Sequence, residues 1–167
     1  MSKRVLISAK RISLLLPNIN DLQAIAAANP SLLVEQNWGL GYPTAGDVLL
    51  AGLAIENNLH VATIEQPWGA LQIQLNETEL VVGGVGFKSA PSDGRVEIGY
   101  GISEDFQNQG ITTEAVALLI EVAKQHSLKL LTAETEIDNV ASQKVLAKSG
   151  FAKIKTTDTN IEWQLEL

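Results

Sequence analysis

Three strand-like runs follow one another over residues 70–75, 80–87 and 96–102, and this spacing constrains the fold more than any other feature of the chain. The breaks are short: a polar turn at Asn76-Glu77-Thr78-Glu79 and a loop at Pro91-Ser92-Asp93-Gly94. Connections of this kind favour antiparallel neighbours, so the three runs predict a meander. Beyond residue 102 the pattern changes to a helix over 113–126, a strand over 128–136, a helix over 140–149, and strands from 151 to the end. Strands first, then strand and helix in alternation, predict one α+β domain spanning residues 1–167 around a mixed sheet.

The N-terminal third reads less regularly. A short strand over 11–16 is stopped by Pro17, and a helix over 20–29 is ended by Pro30, which disfavours helical geometry in the residue before it. A second helix starts at Thr44, whose hydroxyl can cap it with Asp47 three positions on, and Leu49, Leu50 and Leu53 supply its apolar face. The helix after Gly110 carries Ala115, Leu118, Leu119 and Val122 as a sheet-facing stripe. Glu114 sits in its first turn, where the helix dipole favours negative charge.

Composition narrows the function classes. A net charge of -7 argues against a broad nucleic-acid surface, which needs clustered Lys and Arg. The absence of cysteine excludes disulfides and thiol nucleophiles, and with only His60 and His126 no structural zinc site is expected. No apolar run approaches the ~18–20 residues that span a bilayer, and the first residues lack a signal-peptide pattern, so a cytoplasmic location without membrane association is the expectation.

The segment Gln107-Asn108-Gln109-Gly110-Ile111-Thr112 delivers the chain into a helix N-terminus. Such an end carries unpaired N–H groups and partial positive charge, and a tight glycine entry aims them at one anion. The plainer reading is that Gly110 only permits the turn and Thr112 caps the helix. A nucleotide-binding loop is disfavoured, because the Lys-Ser/Thr pair of a P-loop is missing.

This loop is entered from Val96-Glu97-Ile98-Gly99-Tyr100-Gly101-Ile102 and followed by Thr113-Glu114-Ala115; further on stand Asp138-Asn139-Val140-Ala141-Ser142 and Leu146-Ala147-Lys148-Ser149-Gly150-Phe151. Over about residues 71–151 the chain resembles the GNAT superfamily of N-acetyltransferases, most of all the ribosomal-protein alanine acetyltransferase type. Thr112 departs from that pattern, standing where Gly or Ala is usual. The resemblance implies a mostly antiparallel mixed sheet with one splayed parallel strand pair, helices on both faces, and acetyl-CoA lying in the splay. It implies that the backbone of Ile102 pairs with the pantetheine arm. N–H groups of Gln107, Asn108, Gln109, Gly110, Ile111 and Thr112 would hold the pyrophosphate, and Asn139 would face the pantetheine. Lys144 and Lys148 are the candidates for the ribose 3′-phosphate.

The implied reaction is direct attack of a primary amine, a protein N-terminus or a small molecule, on the thioester in a ternary complex. Glu134 stands where several family members carry a catalytic glutamate, and it shares strand parity with Leu128, Leu130 and Thr132, so burial is expected to raise its pKa. Glu97 is the rival base, alternating with Gly99 and Gly101 and so facing open space. Many members place a tyrosine acid where Leu146 stands, which moves the proton donor to Ser142, the substitute used in the ribosomal-protein branch. A bulge near Gly99 to Ile102 would let backbone N–H groups polarise the carbonyl. Trp38, Tyr42 and Trp68 either line an acceptor pocket or fill the core beside the first helices. Residues 161–167 alternate Ile, Trp and Leu on one face, which suits a homodimer or the chain's own helices equally. The alternative to an enzyme is an acyl-CoA-binding sensor or interaction module without turnover, for which Thr112 and Leu146 speak.

Overall fold

The computed structural model describes residues 4–32, 36–59 and 62–167. Eight strands form one sheet: β1 (Val5–Ser8), β2 (Ile12–Leu15), β3 (Ala70–Leu75), β4 (Val81–Phe87), β5 (Arg95–Ile102), β6 (Leu130–Glu136), β7 (Ala152–Thr156) and β8 (Asn160–Glu166). Their spatial order is β1-β2-β3-β4-β5-β6-β8-β7. Every neighbouring pair is antiparallel except β5 and β6. The meander appears as expected, and its β4–β5 connection ends in a two-residue turn between Ser92 and Arg95, with Asp93 and Gly94 both at positive φ, the geometry that matches strand twist. The β1–β2 hairpin extends the expected single N-terminal strand by a partner that the polar Met1-Ser2-Lys3-Arg4 start had hidden.

Four helices complete the chain: α1 (Ile19–Ala26), α2 (Ala45–Glu56), α3 (Ile111–Gln125) and α4 (Val140–Lys148). Helix α1 is shorter than expected; Asn18 caps it in a box with Asp21, and after Ala28 at φ 51° the chain passes into a 3-10 turn at Pro30–Leu32. Helix α2 begins where Thr44 predicts, in a capping box with Asp47. Its buried face is Asp47, Leu50, Ala51 and Ala54, an i, i+3, i+4, i+7 row, while Leu49 is exposed. The expected face through Leu49, Leu50 and Leu53 is therefore turned by about one residue.

Two apolar layers hold the helices to the sheet. On one side α2 lies on β5, so that a Cβ on Gly99 or Gly101 would meet Leu50 or Thr44. On the other, Val96 and Ile98 enter the core with Val116 and Leu119 of α3 and Leu146 of α4. Helices thus cover both faces.

The C-terminal strand is internal. β8 is paired on both edges, with β6 and β7, and Ile161 and Trp163 are buried in the chain's own core. Among the described residues no helix is long and apolar enough to cross a membrane, and no group of three or more metal-ligating side chains is placed to hold an ion. His60 lies outside the described residues.

Candidate active site

Strands β5 and β6 part company midway. Their last shared rung joins Glu97 to Thr132, yet β5 runs on to Ile102 and β6 to Glu136. On its other edge β5 stays fully paired, with Ile98 to Ile102 opposite Phe87 to Gly83 of β4. The freed edge of β5 therefore presents backbone N–H and C=O groups to the gap, where an extended molecule can add as a strand. The same regular register removes the bulge expected near Gly99: β4 and β5 pair without a shift there, so no carbonyl-polarising bulge forms.

A cavity of about 510 Å3 opens along the freed end of β5. Its floor is Tyr100, Gly101 and Ile102; one wall is Thr44, Ala45 and Gly46 at the start of α2. The far end is the loop before α3, and the opposite wall is α4, from its cap Asn139 through Lys144 to its last residue Lys148. Those two lysines are the only charged side chains among the described residues of the lining, in a chain of net charge -7.

The loop reaches α3 through Gly110, which sits at the N-cap with φ 76° in the left-handed region that glycine enters without strain. No side chain caps the helix. Its first turn consequently offers the N–H groups of Ile111, Thr112 and Thr113 to the cavity those residues line. The helix starts at Ile111, two residues earlier than expected, because the Ile111 side chain is buried in the core. Thr112 is thus inside the first turn and is not its cap.

Of the residues expected to hold a cofactor, Ile102, Gln107, Asn108, Gly110, Ile111, Thr112 and Asn139 line the cavity, and Gln109 does not. The Gln107 N–H is already used, donating to the Glu104 carbonyl at 3.1 Å. Gln109 turns away because its carbonyl accepts from Arg11 Nη1 at 2.9 Å. Arg11 also donates through Nε to Glu114 Oε2 at 2.7 Å, so one guanidinium clamps the loop and the first turn of α3 from behind. This role for Arg11 had no signal in the sequence, since its partners lie about a hundred positions away.

Helix α4 is capped by Asn139, whose Oδ1 accepts from the Ser142 N–H at 3.1 Å, and Asn139 lines the cavity. Ser142 Oγ lies 2.7 Å from the Tyr100 hydroxyl, which also donates to the Ser142 carbonyl at 3.1 Å. Burial pushes the Tyr100 phenol up to about 12, its bond to Ser142 pulling the other way. Leu146 is fully buried, so its apolar character serves the core.

The two candidate glutamates lie outside the cavity. Glu134 is exposed and accepts from Asn160 Nδ2 at 2.9 Å. The buried row of β6 is Leu131, Ala133 and Thr135, because Trp163 of β8 covers that side and donates through Nε1 to Thr135 Oγ1 at 3.0 Å. The expected burial of Glu134 is thereby corrected. Glu97 forms an ion pair with Lys88, and the space beside it at Gly99 is occupied by Leu50 and Lys88 side chains, so the open face expected there is filled.

The aromatics pack rather than line the cleft. Tyr42 is buried beside Trp38, ring centroids 5.1 Å apart, under α1 and α2. Trp68 stands edge-on to Phe87 and to His126, whose Nδ1 lies 2.9 Å from the Val122 carbonyl.

Residues 11–152 match the family model of the acetyltransferase (GNAT) domain. The chain belongs to the GNAT acetyltransferases. The curated relative "Uncharacterized N-acetyltransferase YjdG" of Bacillus subtilis (strain 168) is 38% identical over 73 residues, a match that spans 42% of this chain and 44% of that relative, under half the length of each. Among solved structures, the RimL ribosomal L7/L12 alpha-N-protein acetyltransferase superposes with a TM-score of 0.70 at 16% identity, covering 100% of this chain and 96% of that one. The ribosomal-protein-S5-alanine acetyltransferase from Vibrio fischeri gives 0.66 at 18% identity, covering 96% and 95%. At such identities these neighbours bear on the fold alone.

Proposed function

We propose that this GNAT member transfers an acetyl group from acetyl-CoA to a primary amine, a protein N-terminus or a small-molecule amine, by direct attack within a ternary complex. One observation carries the reading: the unpaired edge of β5 runs along a cavity that ends at the uncapped N-terminus of α3, with Lys144 and Lys148 as the charges among its described lining residues. An elongated anion with an amide-bearing arm fits that set of groups. Acetyl-CoA, when bound, supplies the acetyl group activated as a thioester.

The chain's own groups have separable tasks. The β5 edge at Gly101 and Ile102 pairs with the arm, the first turn of α3 with Asn108 and Gly110 receives the diphosphate, and Lys144 and Lys148 balance the remaining phosphate charge. Ser142 holds a proton for the departing sulfur, with Tyr100 behind it. Positioning alone is worth ~7–11 kcal/mol of barrier, so single side-chain losses lower the rate without abolishing it. The ribosomal-protein neighbours support a protein N-terminus as acceptor; its α-amine, with a pKa of ~7.7–8.0, asks less of a base than a lysine at ~10.4.

The test is thiol release from acetyl-CoA in the presence of N-terminal peptides, polyamines and aminoglycosides. Release with at least one amine is expected. Tight CoA binding with no release across the panel would instead establish the alternative, an acyl-CoA-binding module.

A further inference from the structure

Among the described residues the cavity lining contains no carboxylate, yet one stands a single hydrogen bond behind it. Thr44 lines the cavity at Gly101, and its Oγ1 donates to Asp47 Oδ2 at 2.8 Å. Asp47 belongs to the sheet-facing row of α2 and is 3% exposed. Its Oδ1 has no hydrogen-bond partner and is wedged against β4, where a Cβ on Gly84 would lie 2.2 Å from it. Capping does not require this arrangement. The same chain caps α1 with an equivalent box, Asn18 with Asp21, at the surface. A buried carboxylate with an orphan oxygen costs stability that a solvated cap avoids, and such groups concentrate where chemistry needs them.

We propose that Thr44 and Asp47 form the proton-accepting arm of the site: Thr44 Oγ1 takes a proton from the acceptor nitrogen while passing its own to Asp47 Oδ2. The inference rests on the acetyl-transfer reading above. Thr44 is the group that touches the substrate, and Asp47 acts through it. The acceptor enters as an ammonium and gives one proton through Thr44 to Asp47, becoming the nucleophile. Its nitrogen forms the C–N bond as the C–S bond breaks. The second nitrogen proton leaves to solvent, and the sulfur takes one from Ser142, which solvent refills. Asp47 then returns its proton through Thr44 to solvent, so that the turnover releases one proton net.

Energetics agree with the geometry. Burial raises the Asp47 carboxyl to about 6, with its bonds to Thr44 opposing, which brings it closer to an α-ammonium at ~7.7–8.0 than an ordinary carboxylate stands. The groups packed around it are Tyr42 from the loop before α2, Gln72 of β3 and Gly84 of β4. Tyr42 is itself raised by burial, by Asp47 and, from α1, by Asp21, while Gln72 carries no charge. Glu134 and Glu97 offer no comparable path, since neither lines the cavity and their partners Asn160 and Lys88 do not line it either.

The test compares kcat and KM from pH 5 to 9 for the wild type, Asp47→Asn, Thr44→Val and Thr44→Ser, using acetyl-CoA and the amine of the panel that the wild type acetylates fastest. A carbon-13 NMR titration of the Asp47 carboxyl, which needs no turnover, accompanies it. General-base loss is worth ~10²–10⁴-fold, so Asp47→Asn and Thr44→Val are expected to lower kcat by at least ~100-fold with acetyl-CoA KM little changed, and to lose the acidic limb of the profile. Thr44→Ser recovers most of the rate. The Asp47 carboxyl is expected to titrate near 6 and to move upward in Thr44→Val, because a hydrogen bond to the charged form is lost. An Asp47→Asn enzyme with an intact acidic limb, or a limb that disappears instead in Glu134→Gln or Glu97→Gln, overturns the proposal. So does a carboxyl that ignores Thr44→Val or fails to titrate between pH 4 and 8. A wild type inactive toward every amine sinks the acetyl-transfer reading, and the NMR titration still decides whether Thr44 and Asp47 are proton-linked.

Discussion

The Tyr100 hydroxyl and Ser142 Oγ, 2.7 Å apart, tie β5 to α4 across the floor of the cleft. When Tyr100 donates to Ser142 Oγ, the serine's own proton is free for the sulfur that the proposed reaction releases; when it donates to the Ser142 carbonyl at 3.1 Å, the serine would have to turn first. With its phenol raised to about 12, Tyr100 stays neutral through the working range and adds no basic limb to the rate profile. Ser142→Ala is expected to lower kcat ~100-fold, in the range for a lost general acid, with acetyl-CoA KM within about twofold. Tyr100→Phe lowers kcat less and leaves acetyl-CoA affinity alone. Steady-state kinetics at saturating amine checks both, and an unaltered Ser142→Ala rate makes Ser142 a purely structural residue.

Arg11 clamps the loop before α3 through the Gln109 carbonyl and Glu114, and its side chain is 49% exposed. Surface pairs of this kind contribute only ~0.2–1 kcal/mol to folding. Arg11→Ala is therefore expected to weaken acetyl-CoA binding severalfold while the melting temperature barely moves. Titration calorimetry with CoA beside a thermal melt separates the two, and equal CoA affinity in the variant would show that the loop holds its shape without the clamp.

Features written within a few residues of one another were the legible ones. The Thr44 cap, the Asp93-Gly94 turn and the Gly110 entry to α3 depend on local chemistry, and each appears where the sequence puts it. Pairings over long separation were not legible. Residues 128–135 carry apolar groups in both alternating rows, and only Trp163 of β8, bonded to Thr135, decides that Leu131 and Ala133 face the core and Glu134 faces water. The Arg11 clamp and the internal position of β8 have the same cause. In α2 a row through Asp47 defeated the expectation that the leucines mark the buried face, because a carboxylate is an unusual member of a core row.

Gly101 faces the start of α2 with no room for a side chain. A Cβ there would lie 2.5 Å from Thr44 Oγ1, which Asp47 holds in place. Gly101→Ala is expected to displace Thr44, with an overpacking cost of ~1–3 kcal/mol and a fall in kcat. Gly52→Ala on α2, where a Cβ meets nothing within 4 Å, serves as control and is expected to stabilise by ~0.5–1 kcal/mol. Thr44→Ala alone loses the α2 cap, at ~0.5–2 kcal/mol, so the double variant with Gly101→Ala should cost less than the sum of the two single losses and recover none of the rate. Denaturation of the single and double variants checks this, and independent, additive losses would place the clash elsewhere.

Burial of Asp47 also sets a pH dependence of folding whose sign is opposite to that of a salt-bridged carboxylate. Its carboxyl stands at about 6 in the folded protein against an ordinary 3.8. Between those values the folded chain holds a proton that the unfolded chain has released, so stability falls as pH rises through the window, and the penalty is complete above 6. A displacement of this size corresponds to roughly 3 kcal/mol. Asp47→Asn keeps an acceptor oxygen for the Thr44 N–H and hydroxyl while removing the buried charge. The variant is therefore expected to match the wild type near pH 4 and to exceed it by up to about 3 kcal/mol at pH 8. Urea denaturation of both proteins at pH 4, 5, 6, 7 and 8 measures the difference, which cancels the contribution of every other titrating group. Parallel stability profiles across that range would mean that Asp47 is solvated and ordinary, and the window would close.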